Sequence, residues 1–201
     1  MISEIKHKFV LLNGNIIMLV RGAAVISTKA FVESKYEKEL IKWLSNLPED
    51  SQKIYTQTIN ESKWYPLSDA FVVPTRIMLE MFYDKNLKGA YELGSYSAEK
   101  GLTGIYKVFV KMGSPAFIIS RAAKVFSAYY KDSSIKVLSS TKKSVILMVD
   151  KFPEYADVIG NRIIGWIDKA LEISGCENVK TQVVHSFLKG DPFTEFFITW
   201  D

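Results

Sequence analysis

Residues 134–150 read SIKVLSSTKKSVILMVD, residues 158–174 read VIGNRIIGWIDKALEIS, and residues 179–200 read VKTQVVHSFLKGDPFTEFFITW. The first and third stretches contain short runs of β-branched residues around polar turns, a pattern typical of β-hairpins. The middle stretch spaces its apolar residues three and four apart, which predicts an amphipathic helix ending at Gly175. The order ββαββ therefore predicts a four-stranded, mainly antiparallel sheet.

Helical periodicity covers most of the chain upstream of this region. We predict two helices within residues 22–47, broken near residues 34–36, a weaker helix at 51–59, and further helices at 68–83, 88–111 and 115–130. A helical N-terminal layer, about residues 20–131, packed on the ββαββ part, about residues 133–201, gives an α+β fold. Because no low-complexity linker divides the chain, we expect residues 1–201 to form a single domain.

A shorter hairpin is predicted near the amino terminus. Asn13-Gly14 lies between two β-favouring runs, so residues 9–12 are expected to pair with residues 16–20. The basic residues before Phe9 resemble the start of a signal peptide, but Asn13-Gly14-Asn15 interrupts the apolar run that a signal peptide needs. No run approaches the roughly 18 apolar residues of a spanning helix, so we expect no membrane span.

Charge and cysteine content exclude several classes of protein. The 26 basic and 22 acidic residues are dispersed, and a net charge of +4 without a basic cluster does not indicate a nucleic-acid partner. A single cysteine, Cys176, excludes an internal disulfide and a zinc site with several thiolates, and it is typical of a reducing, cytoplasmic location.

Several short segments occur in the order found in an uncharacterised bacterial family, an expanded paralogous set in myxobacteria, and the chain resembles that family from about residue 20 to residue 200. These segments are VRGAAVIS at 20–27, FVE at 31–33, LPE at 47–49, WYPL at 64–67, GSP at 113–115, YY at 129–130 and GW at 165–166.

Two parts of the chain resemble a wider superfamily of ligand-binding domains. Residues 22–36 are similar to the opening helix of the haem nitric-oxide/oxygen-binding domain, and the tail ending in residues 196–200 is similar to the 4-vinyl reductase and hydrocarbon-binding domains. In the latter relatives the last two strands often carry a cysteine on each side of a Gly-Asp turn. Here the turn is Gly190-Asp191, while His185 and Thr194 stand near the expected thiols. Cysteine-dependent chemistry is therefore not expected.

The resemblance raises the question of haem, which needs an axial ligand, usually histidine, over a deep apolar pocket. The only histidines are His7 and His185, and neither lies on the helices between residues 68 and 130 where the haem-binding relatives place their ligand. We find no Tyr-x-Ser-x-Arg propionate clamp. We therefore predict no cofactor and no metal, and we expect His185 to be half-buried and Cys176 to be an ordinary small apolar residue.

Three residues are candidate ligand contacts. Arg121 lies one helical turn from Phe117 and Val125, so it must pair with an acid, extend to solvent, or meet an anionic ligand. Tyr129 and Trp64 are candidate pocket aromatics, although each is also a plausible packing residue.

The sequence has no catalytic triad, nucleotide loop or close acid pair, so no catalytic residue is predicted. The leading hypothesis is a non-enzymatic signalling domain, a sensor or carrier that binds a small apolar or amphipathic molecule. The alternatives are a scaffold or dimerisation module without a ligand and, by analogy with the relatives, a tetrapyrrole-related enzyme or haem gas sensor. Gly160 and Gly165 predict a close helix contact, which a homodimer interface would also explain.

Overall fold

The computed structural model describes residues 11–12, 15–102 and 115–201. The β-strands within these ranges form three sheets. The strands are β1 (Leu11–Leu12), β2 (Asn15–Ile16), β3 (Leu19–Arg21), β4 (Trp64–Pro66), β5 (Ser134–Ser140), β6 (Ser144–Lys151), β7 (Lys180–His185) and β8 (Thr194–Thr199).

Helices account for most of the remaining described residues. They are α1 (Gly22–Lys35), α2 (Leu40–Asn46), α3 (Glu49–Tyr55), α4 (Val73–Phe82), α5 (Lys88–Leu102), α6 (Pro115–Ser120), α7 (Ala122–Tyr129) and α8 (Asp157–Ile173). A π-helical turn, Ser68–Val72, leads directly into α4, and short 3-10 turns cover Glu37–Glu39 and Phe187–Lys189.

The main sheet has four antiparallel strands in the order β5-β6-β8-β7, which confirms the predicted α+β fold with its ββαββ tail. Burial alternates along β6 and β8 because successive side chains of a strand point to opposite faces. The buried face carries Val145, Leu147 and Val149 from β6 and Phe196 and Ile198 from β8, and it belongs to one core together with the helices.

The amino-terminal hairpin is shorter than predicted. Leu11 pairs with Ile16, as the Asn-Gly signal indicated, but the expected strand over residues 16–20 ends at Ile16. Leu19–Arg21 instead pairs with Trp64–Pro66, which the sequence pattern did not predict. Residues 9 and 10 lie outside the described residues.

The predicted helix over residues 115–130 is two helices. A turn at Arg121 separates α6 from α7, so the apolar stripe expected along one continuous helix changes direction there. The helix predicted at 88–111 is described as far as Leu102, and the rest of that prediction lies outside the described residues.

Helices α5 and α8 approach each other closely through two glycines. A Cβ atom added at Gly94 would lie 2.1 Å from the carbonyl oxygen of Arg162, and one added at Gly165 would lie 2.0 Å from that of Tyr91. A Cβ added at Gly160 would meet the Tyr155 hydroxyl at 2.4 Å. Of the two glycines expected to make a close helix contact, Gly165 makes one with α5 inside the chain, so no dimer interface is required, while Gly160 meets the Tyr155 side chain instead.

We predict that Gly94→Ala and Gly165→Ala each lower the free energy of unfolding by about 1–3 kcal/mol, because the added methyl group would force two helix backbones apart. Gly101→Ala is the matched control, since it also lies in α5 and its Cβ would be 3.6 Å from the Tyr129 hydroxyl. Alanine normally stabilises a helix interior by roughly 0.5–1 kcal/mol over glycine. Urea denaturation measures all three variants, and stabilisation by Gly94→Ala would contradict the close contact.

Candidate functional site

A cavity of about 510 Å³ lies between the helices and the sheet. Helices α1, α5, α7 and α8 surround it, and Ile135 of β5 and Leu147 of β6 contribute from the sheet. Its lining is largely aliphatic and aromatic, with Phe71, Phe126 and Trp166 among the rings. This composition is typical of sites that bind apolar small molecules, which have volumes of about 300–1,000 Å³.

A second cavity of about 310 Å³ adjoins the first. The two share five lining residues, which are Ala122, Val125, Leu147, Trp166 and Ile167. The smaller cavity is bounded further by apolar residues of α6 and α8. An elongated apolar molecule in the larger cavity therefore has further apolar space beside it.

One charged side chain of the larger cavity's lining is buried. Arg162 of α8 is 3% exposed, and its guanidinium lies 3.5 Å from the centre of the Phe71 ring. One terminal nitrogen, Nη1, donates to the hydroxyls of Thr28 and Thr75, each at 3.0 Å, and Nη2 donates to the carbonyl oxygen of Ala24 at 3.4 Å. No carboxylate of a described residue forms an ion pair with this guanidinium.

The two threonines are oriented to accept from the guanidinium. The Thr28 hydroxyl donates to the carbonyl oxygen of Ala24 at 3.2 Å, and the Thr75 hydroxyl donates to that of Phe71 at 2.6 Å. Because each hydroxyl hydrogen is already used, the oxygen presents its lone pairs to Arg162. Helices α1 and α4 thus hold the cation with neutral groups.

Two buried tyrosines, Tyr55 and Tyr130, lie close enough to Arg162 to interact with its charge. Burial raises the pKa of Tyr130 to about 12 and raises the pKa of Tyr55 as well, and in both cases Arg162 opposes the shift. Burial also lowers the pKa of Arg162 to about 10. At neutral pH the guanidinium therefore stays charged while both phenols stay neutral, so the phenols supply no counter-charge.

The three candidate ligand contacts, Tyr129, Trp64 and Arg121, lie in different parts of the structure. Tyr129 lines the larger cavity, with its ring centre 6.5 Å from that of Trp166. Trp64 lines neither cavity; it belongs to β4, and the guanidinium of Arg21 lies 3.9 Å from its ring centre.

Arg121 lines the smaller cavity, but it is exposed rather than buried. Its guanidinium lies 3.7 Å from the centre of the Phe117 ring, and it forms no ion pair with a described residue. Of the outcomes considered for Arg121, the structure shows extension to solvent, since the turn between α6 and α7 lets the side chain leave the apolar stripe.

His185 and Cys176 lie away from both cavities. His185 is exposed rather than half-buried, with its Nδ1 3.7 Å from a carboxylate oxygen of Asp191. Cys176 is 5% exposed, and burial raises the pKa of its thiol. A buried thiol with a raised pKa is a poor nucleophile.

Arg162 is the residue that sequence reasoning missed. Its neighbours at helical spacing are Ile159 and Trp166, so it lies on the same stripe that predicted the buried face of α8. The sequence signal that could have pointed to Arg162 is therefore an arginine on the apolar stripe of a regular helical pattern.

Comparison with known proteins places the fold among haem nitric-oxide/oxygen-binding (H-NOX) domains. The H-NOX protein from S. oneidensis in the Fe(II)NO ligation state has a TM-score of 0.70 at 10% identity, covering 90% of this chain and 99% of that one. The Fe(II) unliganded H-NOX protein from K. algicida has a TM-score of 0.65 at 11% identity, covering 90% and 96%. At these identities the similarity shows the fold alone.

No family model and no curated protein matches the sequence. The resemblance to the uncharacterised bacterial family therefore stays a prediction, whereas the structural similarity to H-NOX domains is shown.

The cavity residues do not fit a histidine-ligated haem. The described lining of both cavities contains no histidine, cysteine or methionine, which leaves tyrosine as the only common axial ligand type present. Three described tyrosines line the larger cavity. The Tyr96 hydroxyl already donates to the carbonyl oxygen of Ala30 at 3.2 Å, and the raised pKa of Tyr130 disfavours the phenolate that iron would need. The third, Tyr129, has its ring centre 6.5 Å from that of Trp166. His7 lies outside the described residues.

The described ranges contain neither a cluster of metal-ligand side chains nor a membrane-spanning helix. Within them, no three side chains of the metal-binding types cluster as they would around an ion. None of the helices they contain has the length and hydropathy needed to cross a bilayer.

We predict that Arg162→Met leaves the free energy of unfolding of the ligand-free protein unchanged or raises it by about 1–2 kcal/mol, because it removes a buried charge that has no ionic partner. Arg76→Met is the control; Arg76 is exposed, and its 3.1 Å contact with Asp157 is expected to contribute less than about 1 kcal/mol. Urea denaturation of both variants measures the effect. A loss of 3 kcal/mol or more in Arg162→Met would instead show that the arginine holds the fold together.

Proposed function

We propose that this chain is a non-enzymatic sensor or carrier domain that binds one small, largely apolar molecule between its helical layer and its sheet. The observation that carries the proposal is the cavity of about 510 Å³, whose described lining consists mainly of aliphatic and aromatic side chains and holds one buried cation. Pockets with an apolar lining and a few polar anchors are the common form of small-molecule sites.

The H-NOX-like fold supports a sensor role by structural analogy, because the solved relatives include a protein in an NO-ligated state. We further propose that this chain uses its cavity without haem, since the lining lacks the usual iron ligands. The dispersed charge supports a small-molecule partner over a nucleic acid, and the single cysteine supports a cytoplasmic location.

Native mass spectrometry of the freshly purified full chain tests this proposal directly. A co-purifying small molecule, released by solvent extraction and identified by its mass, is the expected result. An absorption spectrum recorded on the same sample tests the haem-free proposal, because a Soret band would show bound haem and overturn it. A bare protein mass together with a stable dimer would favour the ligand-free scaffold.

Cavity filling gives a second test, with a neutral fluorescent probe such as N-phenyl-naphthylamine. Ala122 lines both cavities, so we predict that Ala122→Phe weakens probe binding about tenfold by occupying the shared space. The control is Ala123→Phe, which adds the same ring at the next, exposed position of α7 and should leave binding unchanged. Equal effects of the two variants, or no binding to the wild-type protein, would contradict a cavity site.

A further inference from the structure

We propose that the natural ligand is an amphiphile with one carboxylate, whose head pairs with Arg162 and whose apolar body fills the larger cavity. This inference rests on the proposed function and specifies its ligand class. It depends on an unusual combination of structural features. The Arg162 side chain is 3% exposed, it lines an apolar cavity, and its described hydrogen-bond acceptors are uncharged.

The guanidinium retains hydrogen-bonding capacity. Arginine has five N–H donors, and its bonds to Thr28, Thr75 and Ala24 use three of them among the described residues. Two donors are what a bidentate carboxylate requires. The contact with Ala24, at 3.4 Å, is also long enough to be exchanged for a charged acceptor at little cost.

No described residue balances the charge of Arg162 with a negative charge. Its acceptors are hydroxyls and a carbonyl, and the nearby phenols of Tyr55 and Tyr130 stay neutral at neutral pH. Outside the described residues, the sequence contains a single carboxylate side chain, Glu4. A buried charge is normally paired, so a carboxylate brought by the ligand supplies the missing partner.

The charge balance also selects the type of head group. One guanidinium is neutralised by one monoanion, whereas a phosphate monoester carries about −1.5 to −2 at neutral pH and would leave net negative charge in the apolar interior. Among the described lining residues, the other charged ones are Glu61 and Lys100, which are exposed and have opposite signs. They therefore add no net charge to the site.

The apolar body is accommodated by the rest of the lining. From Arg162 on α8, the wall continues through Ile163, Trp166 and Ile167 of the same helix, and the last two also line the smaller cavity. A chain or ring system anchored at Arg162 thus follows α8 along apolar surface.

A series of ligands with the same tail tests the inference in the wild-type protein. Dodecanoate, dodecanol and dodecyltrimethylammonium, each below its aggregation concentration, are titrated by isothermal calorimetry at neutral pH. We expect dodecanoate to bind about ten- to a hundredfold tighter than dodecanol and the cation to bind most weakly. The preference should persist at high salt, because a buried pair is little screened.

Two outcomes distinguish a failure of the carboxylate inference from a failure of the proposed function. Equal binding of dodecanoate and dodecanol overturns the carboxylate inference and leaves the apolar site intact. No binding of either, together with no binding of the neutral fluorescent probe, overturns the proposed function itself.

The variant Arg162→Met tests whether Arg162 causes the preference for dodecanoate over dodecanol. In this variant we expect dodecanoate to fall to the affinity of dodecanol, while dodecanol changes less than about threefold. Arg76→Met is the matched control, because Arg76 is exposed and lines neither cavity, and the preference should be unchanged. A preference retained in Arg162→Met would overturn the assignment. Should Arg162→Met not fold, the wild-type ligand series still decides.

Discussion

A positive charge held in an apolar interior is the constraint around which this structure is arranged. Arg162 on α8 reaches Thr28 of α1, Thr75 of α4 and the Phe71 ring in the π-helical turn, so four elements meet at one guanidinium. Water is replaced there by hydroxyl lone pairs and a ring face, which solvate a cation less well than water or a carboxylate does. Because the net stability of a domain is only about 5–15 kcal/mol, the cost of burying this charge is a substantial fraction of the total.

The close approach of α5 and α8 fixes where this charge lies. Gly94 faces the carbonyl oxygen of Arg162, so the backbone from which the arginine extends is held against α5. Helices in contact through side chains are about 8–10 Å apart, and glycine allows a closer approach. The same contact brings Trp166 of α8 and Tyr96 of α5 to the wall of one cavity.

The parts of the fold that were predictable are those encoded in local pattern. The four main strands and α8 follow from β-branched runs and helical spacing within a few residues, and the structure confirms them. The pairing of Leu19–Arg21 with Trp64–Pro66 joins segments more distant in the chain and has no local signal. Such non-local contacts depend on how the helices and strands pack against one another. The hydrophobic periodicity of the sequence carries no information about that packing.

The two arginines on apolar stripes show the same limit within the site. Arg121 and Arg162 both have apolar neighbours at helical spacing, and sequence alone singled out the first. The structure exposes Arg121 at a helix break and buries Arg162 beneath the helical layer. A stripe predicts that a helix face is buried, but the depth of one residue depends on which other elements cover it.

Similarity to H-NOX domains at 10–11% identity shows that the same layered arrangement forms from very different sequences. In this chain the described cavity lining holds one buried cation, Arg162, among largely apolar side chains. The cavity wall is largely apolar, and water gains few hydrogen bonds from such a lining. The proposed amphiphile would pack its body along this wall and pair its head with Arg162, so a single guest would account for both features.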